Sequence, residues 1–204
     1  FNMTKIGALS ATAVAAITPT VLAAISTIQI KGLSATNIKG LTGEQMAALT
    51  ATQITALGTA ALAALSDDQI DALSASQMAA LSTTQIAALS ADQVRGLNAT
   101  QIDAFTSTQV RALTATQMAA MDADQVNAVG VADMAALSTT QLRGLTATTL
   151  SQLGTAQLAA LSAAQVAALS PAAMAGLTQT QMDALTTTQM RALTTSQIAA
   201  QAPI

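Results

Sequence analysis

The sequence predicts an all-α solenoid built from very short capped helices, with one helix in each eight-residue repeat. Three observations predict this fold: an uninterrupted octad register, a helix N-cap residue at the second position of every octad, and apolar residues at the first and sixth positions. Counting in eights gives twenty-five octads over residues 1–200, and residues 201–204 remain as a tail. We therefore expect a single continuous repeat array.

The second and fifth positions predict where each helix begins. Position two is Ser, Thr, Asn, Asp or Gly in all twenty-five octads, the residue types that favour an N-cap. Position five is Gln in seventeen octads, where its side chain can reach back to the N-cap amide in a capping box. In the octad 81–88, Ser82 is the cap, and Leu81 and Ile86 form the hydrophobic staple across it. Each octad therefore predicts a helix over its positions three to eight.

Proline, charge and small residues support the same frame. Pro19 and Pro171 lie at position three, the first helical residue, where a missing N–H costs nothing. Seven of the ten acidic residues lie at positions two to five, and six of the seven basic residues lie at position seven, as the helix dipole favours. Position eight is Ala or Gly in every octad except at Gln152, which predicts close approach of a neighbouring helix or coil. A β-solenoid is disfavoured because positions one and six would point to opposite faces of a strand.

The differences between octads predict how many of them form one coil. Ile is concentrated at position six of the odd octads, whereas Arg at position seven occurs only in even octads, as at Arg95 and Arg111. This alternation predicts two octads, or sixteen residues, per coil, with three or four octads per coil as the alternatives.

The composition disfavours most catalytic and ligand-binding functions. The chain has no His, Cys, Trp or Tyr, so it lacks the usual ligands for zinc, haem and iron–sulfur clusters and the base or nucleophile of a triad. We expect no catalytic, cofactor-binding or metal-binding residues. The formal charge of −3 provides no basic surface for nucleic acid. The uncharged segment from Ile6 to Ile30 could be read as a signal peptide or a short membrane span, but it keeps the octad register, so we interpret it as repeat.

Two sets of polar residues could carry a function, and each also has a structural explanation. The acidic pairs Asp67/Asp68 and Asp122/Asp124 could act as carboxylate dyads, but they fall on cap and first-turn positions. Thr is common at position four and could form exposed ladders that bind ice, glycans or a mineral. The structural explanation is that Thr tolerates a solvated helical position. The ladder candidates are Thr84, Thr100, Thr108 and Thr116.

The recurring string Leu-Thr/Ser-x-x-Gln-Ile-x-Ala resembles the octapeptide tracts of very large bacterial surface and secreted proteins of the adhesin type. The resemblance covers the whole chain and implies an extracellular or cell-surface stalk or fibre. It carries no functional residue over to this sequence. The expected function is therefore structural, as a spacer or as a subunit that associates end to end into a filament, with flanking domains of a longer chain as the other possible partners.

Overall fold

A computed structural model describes residues 2–201, and throughout this range the regular secondary structure is helical, without a strand. The helices are three to seven residues long and recur about every eight residues. By contact they form two compact units, Phe1–Ala112 and Leu113–Ile204. The all-α fold of very short helices, one per octad, is thus confirmed.

The helices follow the predicted frame in both units. In unit 1 they are α1 (Met3–Gly7), α2 (Ala11–Ala15), α3 (Pro19–Ala24), α4 (Thr27–Ile30), a 3₁₀ helix (Ile38–Gly40), α5 (Gly43–Ala48), α6 (Ala51–Ala56), α7 (Thr59–Leu62), α8 (Asp67–Asp71), α9 (Ala75–Ala80), α10 (Thr83–Ala88), α11 (Ala91–Gly96), α12 (Ala99–Asp103) and α13 (Ser107–Ala112). In unit 2 they are α14 (Ala115–Ala120), α15 (Ala123–Ala128), α16 (Val131–Ala136), α17 (Thr139–Leu142), α18 (Ala147–Gln152), α19 (Thr155–Ala159), α20 (Ala163–Ala168), α21 (Pro171–Met174), α22 (Gln179–Asp183), α23 (Thr187–Arg191) and α24 (Thr195–Gln201).

The segment from Ile6 to Ile30 contains four short helices, α1 to α4, each in register with the octads. Its helices follow the pattern of the repeat array. Among residues 2–201, no helix has both the length and the apolar character needed to cross a membrane. Of the predicted tail, Gln201 is the last residue of α24, and residues 202–204 lie outside the described range.

Each α-helix begins directly after the predicted cap, whereas the 3₁₀ helix Ile38–Gly40 begins at position six of its octad. Ser82 has an extended backbone, and its Oγ accepts a hydrogen bond from the amide of Gln85 at 3.3 Å. Gln85 Oε1 in turn accepts from the amide of Ser82 at 2.9 Å, which completes a capping box. The staple residues Leu81 and Ile86 are both buried. The helix then ends because the following Leu has an extended backbone and begins the next octad.

The prediction of two octads per coil is wrong. Within each unit, helices that pack together are three octads apart, such as α6 with α9 in unit 1 and α18 with α21 in unit 2. Side-chain hydrogen bonds between coils join residues separated by 28 to 31 positions. One coil therefore takes between three and four octads, within the alternatives that the sequence left open.

The sixteen-residue alternation does not indicate two octads per coil, because the residues that alternate at position six do not lie in two different environments. The position-six residues Met46, Ile54 and Val94 are all fully buried, whether their octad is odd or even. Since position one is buried as well, each octad within residues 33–176 turns two large side chains inwards. A coil of three to four octads surrounds this core with helices, whereas a coil of two octads would place helices on only two sides of it.

The small residue at position eight lies where successive coils are closest. A Cβ atom added to Gly40 would overlap the backbone of Ala11, and one added to Gly144 would overlap the carbonyl oxygen of Ala115. Gly96 occupies the same position of its octad but has no atom within 4 Å of such a Cβ. The predicted close approach is therefore confirmed at some octads and absent at others.

Candidate functional site

The most distinctive site in the protein is the buried glutamine at position five, which joins one coil to the coil before it. Gln101 is only 2% exposed. Its Oε1 accepts from the amide of Asn98 at 2.9 Å, as a capping box requires. Its Nε2 donates to the carbonyl oxygens of Ile70 at 3.0 Å and Leu73 at 2.9 Å. One amide group therefore caps its own helix and binds two backbone carbonyls of the preceding coil.

The same arrangement recurs along both units, and we call its members the inter-coil glutamines. In unit 1 they donate to residues 28 to 31 positions earlier at Gln45, Gln53, Gln69, Gln77, Gln85, Gln93, Gln101 and Gln109. In unit 2 they do so at Gln141, Gln157, Gln165, Gln181, Gln189 and Gln197. In its octad Asn37 replaces the inter-coil glutamine, and its Nδ2 donates to the carbonyl of Ile6 at 2.9 Å.

Sequence reasoning assigned only the cap to these glutamines and missed the bond to the preceding coil. The sequence nevertheless contains an indication of this second bond. A capping box accepts Glu as readily as Gln, yet position five is never Glu in this sequence. A carboxylate has no N–H to donate, so only the amide satisfies both the cap and the carbonyls.

Four octads of the two units carry another residue at a buried or partly buried position five. Ala61 and Ala173 have no polar group, and Thr149 bonds only within its own helix start. Asp133 has a buried Oδ1 that forms no hydrogen bond among the described residues. At Ala61, the octad register places the carbonyls of Ile30 and Leu33 where an inter-coil glutamine would donate.

The candidate carboxylate pairs lie at helix starts, as their structural explanation predicts. Asp122 is the cap of α15, and its Oδ1 accepts from the amide of Gln125 at 2.8 Å. Asp124, Asp67 and Asp68 lie exposed in first turns. No group of three or more acidic residues that could hold a metal ion occurs within the described range. These carboxylates therefore stabilise helix ends, where the dipole favours negative charge.

The charged side chains on the surface form few contacts. Arg95 donates from Nη1 to Asp92 Oδ1 at 2.6 Å, one helical turn away on α11. Both side chains are largely exposed, so the ion pair is screened and contributes little to stability. A shallow, open depression that includes Asp67 and Gly96 borders this pair.

The candidate threonines are exposed at position four, but the sixteen-residue spacing does not align them in successive coils. Thr84, Thr100 and Thr108 are exposed in unit 1, and Thr116 is exposed in unit 2. Since packed helices are three octads apart, Thr84 and Thr100 do not lie on packed helices, whereas Thr84 on α10 and Thr108 on α13 do. The sixteen-residue ladder that the binding hypothesis assumed is therefore absent.

Apolar side chains are exposed at the N-terminal end of unit 1 and at the C-terminal end of unit 2. The first borders a small apolar cavity of about 30 Å³, lined by Ile6, Leu9, Ile17, Val21 and Ile25. The second includes Met190 and Ile198 on α23 and α24. Ile28 on α4 and Val131 on α16 are exposed apolar side chains as well.

Octads with shared caps and a shared bond between coils define the chain as a short-helix repeat protein. Residues 14–51, 22–59, 51–83 and 76–107 match the family model described as the ALTTAQ repeat. The string Ala80-Leu-Ser-Thr-Thr-Gln85 shows how that pattern runs from position eight of one octad to position five of the next. No curated protein matches the chain.

Proposed function

We propose that this repeat protein has a purely structural role outside the cell, as a stalk or spacer between other domains or as a subunit of a filament. The observation that carries the proposal is the series of inter-coil glutamines. Their amides are buried and fully used within the fold, so the most regular polar chemistry of the chain serves to hold coils together. The extracellular location rests on the resemblance to octapeptide tracts of bacterial surface proteins.

The surface chemistry supports a spacer rather than an enzyme. Only 8% of the residues are charged, and seven of the ten carboxylates lie at helix starts, where they have a structural role. No His or Cys is available as a general base or nucleophile. A spacer needs only a stable backbone and a soluble surface, and exposed Thr, Ser and Ala provide the latter.

A distance measurement within unit 1 tests the spacer role. Thr12 and Thr108 are exposed, and the chain has no Cys, so both can be replaced by Cys and spin-labelled without competing sites. We expect a narrow distance distribution by pulsed electron paramagnetic resonance. Deleting residues 49–80, close to one coil, should shorten the mean distance by about 8–10 Å, the spacing of packed helices.

Two results would contradict the spacer proposal. A broad distribution in the full-length chain would mean that unit 1 does not hold a fixed length. An unchanged mean distance after the deletion would mean that the number of coils does not set the length. Labelling of intact cells with an antibody against the repeat tests the extracellular location separately, and staining that requires permeabilised cells would contradict it.

The alternative function is a binding surface for ice, glycans or a mineral. It retains the exposed threonines, but not their alignment in sixteen-residue ladders. Thermal hysteresis and binding to a glycan array measure it directly. We favour the structural role because the inter-coil glutamines, the most regular polar groups of the chain, are buried and bonded within the fold.

A further inference from the structure

Unit 2 contains three rows of helices, in which each helix packs on the helix three octads before it. The first row is α14, α17, α20 and α23, the second is α16, α19 and α22, and the third is α15, α18, α21 and α24. Each step along a row joins one coil to the next. The residue at position five of the later helix determines whether an amide group bonds across that step.

The first and second rows have an inter-coil glutamine at every step within unit 2. In the first row, Gln141 donates to the carbonyl of Leu113 at 2.9 Å, and Gln165 donates to that of Leu137 at 2.7 Å. The other steps of these two rows are bonded in the same way, at Gln157, Gln181 and Gln189. Both rows are therefore joined by hydrogen bonds along their whole length.

The third row lacks this amide at two successive steps, where position five is Thr149 on α18 and Ala173 on α21. The hydroxyl of Thr149 accepts from the amide of Thr146 at 2.9 Å and donates to the carbonyl of the same residue at 3.0 Å. It completes the cap, but among the described residues it forms no bond to the preceding coil. The next step, from α21 to α24, is bonded again, because Gln197 donates to the carbonyl of Leu169 at 2.8 Å.

The carbonyls that would receive the two missing amides belong to buried residues. The octad register places Met118 and Met121 opposite position five of α18, and Leu142 and Leu145 opposite position five of α21. Within the described range no side chain donates to these carbonyls. Because a buried carbonyl that loses a donor costs free energy, both steps are weaker than the steps of the other two rows.

Close packing of the backbone joins the third row in place of the amides. A Cβ atom added to Gly176, just after α21, would overlap the carbonyl oxygen of Ala147 at the start of α18. Attraction between packed atoms is short-ranged, and a gap of about 0.5–1 Å removes a quarter to a half of it. The third row therefore resists a small separation of its coils less than the bonded rows do.

We propose that α18 and α21 form a yielding side of unit 2: they separate reversibly from the coil before them while the first and second rows stay closed. Separation on one side bends the unit without unfolding it, because the other rows keep their hydrogen bonds. Local opening of this kind occurs where a fold is least stable. A spacer under load yields at this side first and closes again when the load is removed. This inference deepens the spacer form of the proposed function and rests on it.

Hydrogen exchange of single backbone amides, followed by NMR on the whole chain, tests the proposal. The amide at position six of each helix bonds to the carbonyl of its own cap residue, so equally bonded amides can be compared between rows. After correction for intrinsic rates, the amides of Leu150 on α18 and Met174 on α21 should exchange about tenfold faster than those of the neighbouring helices, as one to two missing hydrogen bonds predict. The neighbouring amides are those of Leu142, Leu158, Val166 and Met182.

Fraying from the C-terminal end of unit 2 gives a different pattern of exchange. Because α22 lies nearer that end than α21, fraying predicts faster exchange at Met182 than at Met174. The yielding side predicts the reverse order. It also predicts that α18 and α21 both exchange faster than the helices on either side of them, with α19 and α20 slower in between.

A substitution in the first row transfers the weaker bonding to a helix that is bonded in the wild type. Gln165→Thr on α20 retains an oxygen for the cap, as Thr149 does on α18, and removes the bond to the preceding coil. Exchange at Val166 should rise about tenfold, to the level measured on α18. Ala164→Thr is the matched control, because Ala164 is the adjacent, exposed residue of the same helix. It should change the exchange at Val166 by no more than about twofold.

The proposal is overturned if Leu150 and Met174 exchange no faster than their neighbours, or if Gln165→Thr leaves exchange at Val166 unchanged. Equal exchange in all three rows, in a chain whose labelled unit 1 still shortens on deletion, would refute the yielding side while leaving the spacer role intact.

Discussion

Replacing an inter-coil glutamine measures how much stability comes from the bond between coils rather than from the cap. Gln101→Ala removes the acceptor for the Asn98 amide and both strong donations to the preceding coil. A net value of about 0.5–1.5 kcal/mol per hydrogen bond predicts a loss of roughly 2–4 kcal/mol in the free energy of unfolding. The buried carbonyls of Ile70 and Leu73, left without this donor, place the loss towards the upper end of that range.

Gln101→Glu separates the two roles of the side chain. It preserves an oxygen for the cap but replaces the donating Nε2 by a carboxylate oxygen that faces two carbonyls. At neutral pH this variant should be at least as unstable as Gln101→Ala, because a buried charge is left without a partner. Burial raises the pKa of the new carboxyl group in the folded state, so part of the stability should return below the unfolded pKa of about 4.3 and be lost as pH rises.

Urea unfolding followed by far-ultraviolet circular dichroism provides the assay, since the chain has no Trp or Tyr for fluorescence. Thr100→Ala is the matched control, because Thr100 is the adjacent, exposed residue of the same helix. Its effect should stay within about 0.5 kcal/mol. The reasoning is refuted if Gln101→Glu equals wild type at neutral pH, or if Gln101→Ala is no worse than Thr100→Ala.

Three further perturbations address the packing of coils. Gly40→Ala should destabilise the protein by about 1–3 kcal/mol through overlap with the preceding coil, whereas Gly96→Ala should stabilise it by about 0.5–1 kcal/mol; equal thermal shifts would contradict the close approach. Deleting the octad 81–88 should leave a folded, slightly less stable chain, whereas deleting residues 81–84 should unfold the surrounding helices; comparable circular dichroism for both would mean that the octad is not the structural unit. Ala61→Gln should raise stability by about 0.5–1.5 kcal/mol by supplying a missing inter-coil donor, and a lower urea midpoint would show that this octad has no room for it.

The helix frame could be predicted from sequence because capping chemistry is local. Ser82 and Gln85 lie three residues apart, and their reciprocal bonds need nothing beyond their own octad. Helix starts, the proline positions and the distribution of acidic residues all follow from this short range. The same holds for the burial of positions one and six, which the octad pattern predicts directly.

The coil period and the second role of glutamine could not be predicted because both depend on residues 28 to 31 positions away. Nothing within the octad of Gln101 specifies that Ile70 will lie beside its amide. The sixteen-residue alternation suggested a period, but the residues that alternate at position six are equally buried. The absence of Glu at position five was the one feature within the octad that indicated a second partner for the amide, the carbonyls of the preceding coil.

The number of octads per coil is not an integer, and this affects how such a chain can change in length. Because one turn takes between three and four octads, an octad does not lie over the same positions of the octad in the preceding coil. Adding or losing one octad advances the exit direction of the chain by about a quarter of a turn and still presents every amide with a pair of carbonyls. Gain or loss of one octad in the gene would therefore change the direction of any segment attached to the end of the array without disrupting its fold. One octad is the smallest change that alters both the length and the orientation of the array.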